Sequence, residues 1–215
     1  MNDRVKYLLK LVLPVFLLCL FLLPLATWVS LASFAFFYWW VYIIGCNRGL
    51  HLYWAHRQFD LSPAKEKFVT FGSLFAMVGD PISFSRTHRW HHRFSDTEKD
   101  VHRPTLGFYE SFIGWQFTDF QVPLTMVKDL LRIPYLIAIA KRQLTIIWAT
   151  LLILIMLSPS IAYGLIMAMC ASWLLEMLTN FVAHDKNGPR NVKWLCWLSL
   201  GPPHKDHHDK PGTWL

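Results

Sequence analysis

Histidine is the residue type whose spacing in this chain points most directly to chemistry. Nine of the ten histidines fall into four short clusters, and only His102 stands alone. Two clusters share the spacing His-x-x-His-His, which would rarely arise twice by accident and is typical of metal ligands. The clustered histidines are His51, His56, His88, His91, His92, His184, His204, His207 and His208. Because one zinc ion uses only three or four ligands, nine histidines fit two metal ions better than one.

The spacing within each cluster predicts which imidazoles can share a metal. Residues at i, i+3 and i+4 share a helix face, so each His-x-x-His-His motif is predicted to aim three imidazoles at one point. Asn180 and His184 are likewise four residues apart. His51 and His56 are about 140° apart on an ideal helix, so they reach different parts of a site unless the helix loosens there. Imidazole suits iron, zinc and copper alike, so ligand type alone leaves the metal open.

Two long stretches without charge must position these clusters. Residues 11–47 and 143–175 contain no Asp, Glu, Lys or Arg. The first stretch would form a helix of about 55 Å, whereas a bilayer core is about 30 Å thick. Each stretch therefore fits two passes, with breaks at Pro24 and at Ser158-Pro159. The pattern predicts an all-α integral membrane protein with four transmembrane helices arranged as two hairpins, at residues 8–24, 27–46, 143–158 and 161–180.

The charged residues indicate the orientation of these spans. All 21 Lys and Arg lie in the N-terminus, the middle segment and the C-terminus, which two hairpins would place on one side. The positive-inside rule therefore predicts a multi-pass protein with cytosolic N- and C-termini. A cytosolic helical cap, formed by residues 48–142 and 181–215, would carry the histidine clusters within a single domain, 1–215. Short apolar runs in the middle segment are predicted to be interfacial helices.

Carboxylates near the clusters are candidates to orient the imidazoles. A histidine that binds a metal usually donates its other ring N–H to a carboxylate or a carbonyl. We expect this role for Asp96 and Asp100, which follow the second cluster, with His102 beside them. Glu176, four residues before Asn180, is predicted to hydrogen-bond a ligand histidine, because an acid near the membrane is costly without a partner. The alternative for Glu176 is a side chain that reaches the polar interface.

The order and context of the clusters resemble those of the membrane fatty acid desaturases. The run GLHLYWAHR at 49–57 is similar to the first histidine box of that family, which ends in Trp-x-His-Arg. The run HRFSDT at 92–97, followed by DVH at 100–102, resembles the second box. The run NFVAH at 180–184 matches a position of the acyl-CoA, or delta-9-like, branch. The resemblance covers residues 41–208 and is that of a short, divergent member.

The resemblance implies an O2-dependent reaction that removes two hydrogens from a fatty acyl chain and leaves a cis double bond. It implies two iron ions bound by the nine clustered histidines, with Asn180 holding a metal-bound water. An external electron donor, either a ferredoxin or a cytochrome b5, would supply two electrons. The net charge of +7 suits an acidic partner, and anionic lipid would explain this charge equally well. We expect no nucleic-acid partner, and we favour a bacterial-type inner membrane over the endoplasmic reticulum.

Two other functions are compatible with the sequence. A related hydroxylase acting on a lipid, sterol or carotenoid would use a similar histidine set, because both reactions begin with hydrogen abstraction. A metal transporter or another metal-binding membrane protein would need polar groups inside the spans to form a path. The four predicted spans contain no histidine, and Glu176 is their only acid, which disfavours transport. No motif encodes the double-bond position or the acyl carrier.

Overall fold

The computed structural model describes residues 2–185 and 187–210, and this part of the chain is mostly helical. In chain order the helices are α1 (residues 3–21), α2 (Trp28–Ala55), α3 (Pro63–Ser73), α4 (Pro81–Phe94), α5 (Phe108–Phe112), α6 (Pro134–Leu157), α7 (Pro159–Val182), α8 (Lys193–Ser199) and α9 (His204–Asp209). Short 3₁₀ turns lie at Leu23–Leu25, Leu74–Ala76, Pro104–Leu106, Gly114–Phe117, Leu124–Val127 and Leu130–Arg132. Two short strands, β1 (His184–Asp185) and β2 (Gly188–Pro189), pair antiparallel between α7 and α8.

Both predicted breaks between apolar helices are present. A 3₁₀ turn at Leu23–Leu25 separates α1 from α2, and Thr27 caps α2 by exchanging hydrogen bonds with Ser30. Ser158 separates α6 from α7, and its hydroxyl accepts a hydrogen bond from the backbone N–H of Ile161. Pro159 occupies the first position of α7, where a helix needs no backbone N–H.

Three helices, α2, α6 and α7, are long and apolar enough to cross a membrane. The segment Pro63–Ala76 and α4 form a pair bent by 76°, which would count as a fourth, broken span. All three helices extend beyond the predicted spans. α2 continues from residue 46 to Ala55, α6 begins at Pro134 rather than at residue 143, and α7 is two residues longer than predicted at each end. The two-hairpin arrangement and the cytosolic position of the middle segment therefore stay predictions.

The predicted span at residues 8–24 is not among the candidates that the structure offers. The helix ends at Phe21, and its N-terminal half carries charged side chains that shorten the apolar part. These charged residues are Asp3, Arg4, Lys6 and Lys10. The span at residues 8–24 therefore stays a prediction.

α7 lies at the centre of the helix packing, with α1, α2 and α6 against it. Glycine allows a close approach of these helices, because a Cβ on Gly164 in α7 would lie 2.5 Å from the Cβ of Ser33 in α2. α2 and α3 also approach closely, since a Cβ on Gly45 would lie 2.5 Å from the backbone nitrogen of Ser73. Large apolar side chains such as Trp28 face outward, as a lipid-facing surface requires.

Candidate metal centre

Four segments bring the nine clustered histidines together. His51 lies near the end of α2 and His56 directly after it, while His184 follows the end of α7 in β1. The other six lie in α4 and α9. Their nitrogen atoms form two sets, and within each set all ligand atoms lie within 4.8 Å of one another. The five-histidine set is His51, His56, His88, His92 and His207, and the four-histidine set is His91, His184, His204 and His208.

In the five-histidine set, ring nitrogens face one another across a small space. The Nε2 atoms of His51 and His207 are 2.7 Å apart, and those of His56 and His88 are 2.9 Å apart. The Nε2 atom of His207 also lies 3.0 Å from that of His56. Two neutral imidazoles that meet through unprotonated nitrogens repel each other, so such contacts need a proton or a cation between them.

In the four-histidine set, ring nitrogens also face each other, and this set adjoins the five-histidine set. The Nε2 atoms of His184 and His204 are 2.9 Å apart, and the rings of His91 and His208 have centroids 5.0 Å apart. Where the two sets meet, the rings of His92 and His208 stack with centroids 4.1 Å apart. Ions held by the two sets would therefore be neighbours.

This arrangement fits metal ions. Two imidazole nitrogens that bind one ion at about 2.0–2.1 Å, with an angle of about 90–110°, would be about 2.9–3.3 Å apart. The Nε2 atoms of His92 and His208 are buried and have no hydrogen-bond partner within the described residues. Burial and neighbouring positive charge lower the pKa of His56 to about 3 and that of His207 to about 4. Both rings are therefore neutral near pH 7, as metal ligands must be.

Each His-x-x-His-His motif divides its histidines between the two sets, which corrects the prediction that all three point at one place. In α4 the outer pair, His88 and His92, joins the five-histidine set and the middle residue, His91, joins the four-histidine set. In α9 the division is reversed, and the middle residue, His207, joins the five-histidine set. Residues i and i+4 are about 40° apart around a helix, whereas i+3 lies about 60° to the other side. One helix can therefore serve two neighbouring sites.

The winding of α2 explains how His51 and His56 reach the same set. Tyr38–Ala55 is a π-helix, and the backbone N–H of His56 donates to the carbonyl of His51, five residues back, at 3.1 Å. This wider winding moves residues five apart towards the same face, and the two rings have centroids 5.1 Å apart. Of the two interpretations of this spacing, the structure shows the loosened helix.

Two carboxylates lie behind candidate ligands. Asp100 is fully buried, and its oxygens lie 2.9 and 3.0 Å from Nδ1 of His91. Both oxygens of Asp96 lie 3.1 Å from Nδ1 of His184. A proton on Nδ1 then donates to the carboxylate and leaves Nε2 free for a metal. Burial alone would raise the pKa of Asp100, but the adjacent imidazoles and its hydrogen bonds lower this pKa below its ordinary value.

His102 contacts a candidate ligand, whereas Asn180 lies on the helix that precedes one. His102 is buried, and its ring centroid lies 4.9 Å from that of His91. Asn180 is half-buried in α7, whose helical part ends at Val182. His184 therefore lies beyond the helix, and the four-residue spacing does not place it on the helix face of Asn180.

Glu176 has polar neighbours other than the histidine that the sequence analysis expected. The Cys46 thiol and the Tyr42 hydroxyl of α2 are the polar side chains that act on its carboxylate. A carboxylate among apolar helices is costly without polar neighbours, and these two side chains are such neighbours. The hydrogen bond from Glu176 to a ligand histidine stays a prediction.

Arg89 is a connecting residue that the sequence analysis did not single out. Its guanidinium donates to the backbone carbonyls of Trp54 and Ala55, at 2.9 and 2.8 Å, and these carbonyls belong to the last turn of α2. It also pairs with Asp129 at 2.7 Å. Arg89 thereby joins α4 to the end of α2. Its position directly after His88 was the only signal in the sequence.

Comparison with known proteins relates the chain to fatty acyl desaturases, although no protein-family model matches it. A probable chloroplastic lipid desaturase of Arabidopsis thaliana is 29% identical over 197 residues, which are 83% of this chain and 55% of the relative. Delta-9 acyl-lipid desaturase 1 of the same plant is 30% identical over 184 residues, 77% of this chain and 59% of the relative. An acyl-CoA 5-desaturase of Anemone leveillei is 28% identical over 199 residues, 85% of this chain and 61% of the relative.

The three relatives agree in kind, since each is named a desaturase of lipids or of acyl chains. The chain spans 55–61% of their length, and the similarity extends over most of the chain. The similarity agrees with the resemblance of the histidine boxes. These similarities support a divergent member of the desaturase family.

Proposed function

We propose that this chain catalyses the O2-dependent desaturation of a fatty acyl chain, with formation of a cis double bond. The observation that carries the proposal is the division of nine histidines into two adjacent sets at the ends of apolar helices. The names of the relatives support a fatty acyl substrate. Those names differ in the acyl carrier and in the double-bond position, so neither is carried over to this chain.

The metal content that we propose is two iron ions, one in each set. Five imidazoles would hold one ion, and four imidazoles with a water held by Asn180 would hold the other. When bound, iron supplies the redox chemistry with O2 that an unactivated C–H bond requires, because such a bond has no acidic proton and no leaving group. Zinc has no redox chemistry, so the same ligands would be inert with it.

The side chains around the two sets would position the ligands and keep water out. Asp100 and Asp96 accept hydrogen bonds from Nδ1 of His91 and His184, which turns the Nε2 atoms of these rings towards the site. α2 and α7 are candidate membrane spans with apolar surfaces, and both end at candidate ligands. An acyl chain would therefore approach the histidines from the bilayer along these helices. Exclusion of water by these surfaces would protect the reacting carbon.

We also propose the surroundings in which this chemistry takes place. The protein would be a multi-pass protein of a bacterial-type inner membrane, with cytosolic termini, and the three candidate spans support its placement in a membrane. An external ferredoxin or cytochrome b5 would deliver the electrons. The net charge of +7 supports an acidic donor, because complementary charge accelerates the encounter of the two proteins.

The test is the fatty acid profile of host membranes in which the chain is expressed together with a ferredoxin or cytochrome b5 system. Mass spectrometry would locate the new double bond. We expect a new monounsaturated acyl chain with the wild type and none with His91→Ala. The control Asp209→Asn, which changes an exposed carboxylate on α9, retains the product. A hydroxylated product would assign the chain to the hydroxylases, and no product from an iron-loaded wild type would refute the proposal.

A further inference from the structure

Asn47 is a buried amide that contacts one of the candidate ligands. It lies on α2, four residues before His51, and only 6% of its surface is exposed. Its Nδ2 donates to the carbonyl of Ser199 at 2.7 Å, and its Oδ1 lies 3.4 Å from Nδ1 of His51. Because the Ser199 carbonyl can only accept, the NH2 group must face it, and the amide oxygen is left to face the histidine.

The second contact of Asn47 reaches the segment that carries the last histidines. Ser199 is the last residue of α8, and Gly201 follows in the link to α9. A Cβ on Gly201 would lie 2.6 Å from the Asn47 Nδ2, so the link passes directly over the amide. His207 in α9 has its Nε2 atom 2.7 Å from that of His51. Asn47 therefore bonds to a ligand on α2 and to the chain that leads to the facing ligand on α9.

We propose that Asn47 is a positioning residue for the five-histidine set. Its oxygen accepts the Nδ1–H of His51, which fixes the tautomer with Nε2 free and holds the ring towards His207. The hydrogen bond to Ser199 prevents the amide from turning over. This inference rests on the proposed function in one respect, that the five-histidine set holds a metal ion.

Three variants separate this role from a merely structural one. Asn47→Leu has a similar volume but neither donor nor acceptor. Asn47→Asp keeps an acceptor for His51 but cannot donate to Ser199. Tyr38→Phe is the matched control, because the Tyr38 hydroxyl donates to the neighbouring carbonyl of Leu198 at 2.8 Å and leaves Asn47 unchanged.

The experiment measures bound iron per chain and its affinity by chelator competition, with the full chain purified in detergent and checked for folding by gel filtration and circular dichroism. We expect Asn47→Leu to lower the affinity for one of the two iron ions by about 10–100-fold, because loss of a supporting hydrogen bond at a metal ligand typically has this effect. Asn47→Asp and Tyr38→Phe should retain both ions.

Three other outcomes would contradict the proposed role of Asn47. Wild-type affinity for both ions in Asn47→Leu would overturn the proposal. Equal loss in Asn47→Asp, or in Tyr38→Phe, would also overturn it, because the link to α8 and not the acceptor for His51 would then be what matters. If the wild type itself bound no iron, the proposed function would fail and the role of Asn47 with it.

Discussion

Replacement of Asp100 by Asn is the most direct test of how the four-histidine set is supported. The carboxylate is fully buried and accepts hydrogen bonds on both oxygens. Oδ1 accepts from His91 Nδ1 at 2.9 Å and from the backbone N–H of His102 at 3.0 Å. Oδ2 accepts from the backbone N–H of Asp96 at 2.9 Å and also lies 3.0 Å from His91 Nδ1. All of these partners are donors, so an ionised carboxylate is the group that satisfies them.

The magnitude follows from this set of donors. Asn has one oxygen and one NH2 group, so whichever way the amide turns, its NH2 faces the backbone N–H of either Asp96 or His102. At least one buried donor then loses its acceptor, which costs about 1–3 kcal/mol of folding free energy. The side chain that accepts the His91 hydrogen bond also loses its negative charge. Weakening of such a contact typically reduces metal affinity about 10–100-fold, or about 1.4–2.8 kcal/mol.

The assay combines bound iron per chain with the thermal unfolding midpoint of the iron-loaded protein. We expect Asp100→Asn to lose one of two ions more readily and to unfold at a lower temperature than the wild type. Asp209→Asn is the control, because this carboxylate is 56% exposed and pairs with Lys205 one turn earlier, a kind of pair worth about 0.3–0.5 kcal/mol. If the two variants behaved alike, Asp100 would not support His91 in the way described.

Three further predictions concern the elements that hold the site together. Removal of metal by a chelator should expose α9 to limited proteolysis, since three of its six residues are candidate ligands, and unchanged protection would contradict this. Arg89→Met should lower the unfolding free energy by about 1–3 kcal/mol, because it removes hydrogen bonds to three backbone carbonyls and to Asp129. Arg57→Met, with its longer 3.4 Å contact to Asp129, should cost less, and equal effects would argue against this role of Arg89. Gly45→Ala should reduce the yield of folded protein, because the added Cβ would lie 2.5 Å from the backbone of Ser73, and a normal yield would show that the helices can separate freely.

The sequence predicts which histidines meet better than it predicts how they are arranged. Residue type and clustering were enough to select the nine histidines that the structure brings together. The contact of His51 with His56 could not be decided from spacing, because it depends on a π-helix that packing maintains in α2. Asn47 was missed although it precedes His51 by the same four residues that made Asn180 noticeable, since nothing in the sequence shows that Ser199 returns to it.

In the apolar helices, the breaks could be predicted better than the lengths. The breaks near Pro24 and Ser158 were predictable because a proline or a capping serine ends a helix through local chemistry. The length of each helix depends on neighbours instead, which is why α6 extends to Pro134 through Lys141 and Arg142. Glu176 illustrates the same point, since its polar neighbours Tyr42 and Cys46 come from another helix and cannot be read from the local sequence.

The division of each His-x-x-His-His motif explains why this spacing suits two metals. A helix that carried only His-x-x-x-His would present both imidazoles within about 40° of arc and could serve one ion. The additional histidine at i+3 lies about 100° from the one at i+4, far enough to face a second ion beside the first. α4 and α9 use the motif in exchanged order, so one set receives the outer pair of α4 with the middle residue of α9, and the other set receives the reverse. The same three-histidine motif on two facing helices therefore builds two unequal histidine sets, and His51 and His56 bring the larger of them to five imidazoles.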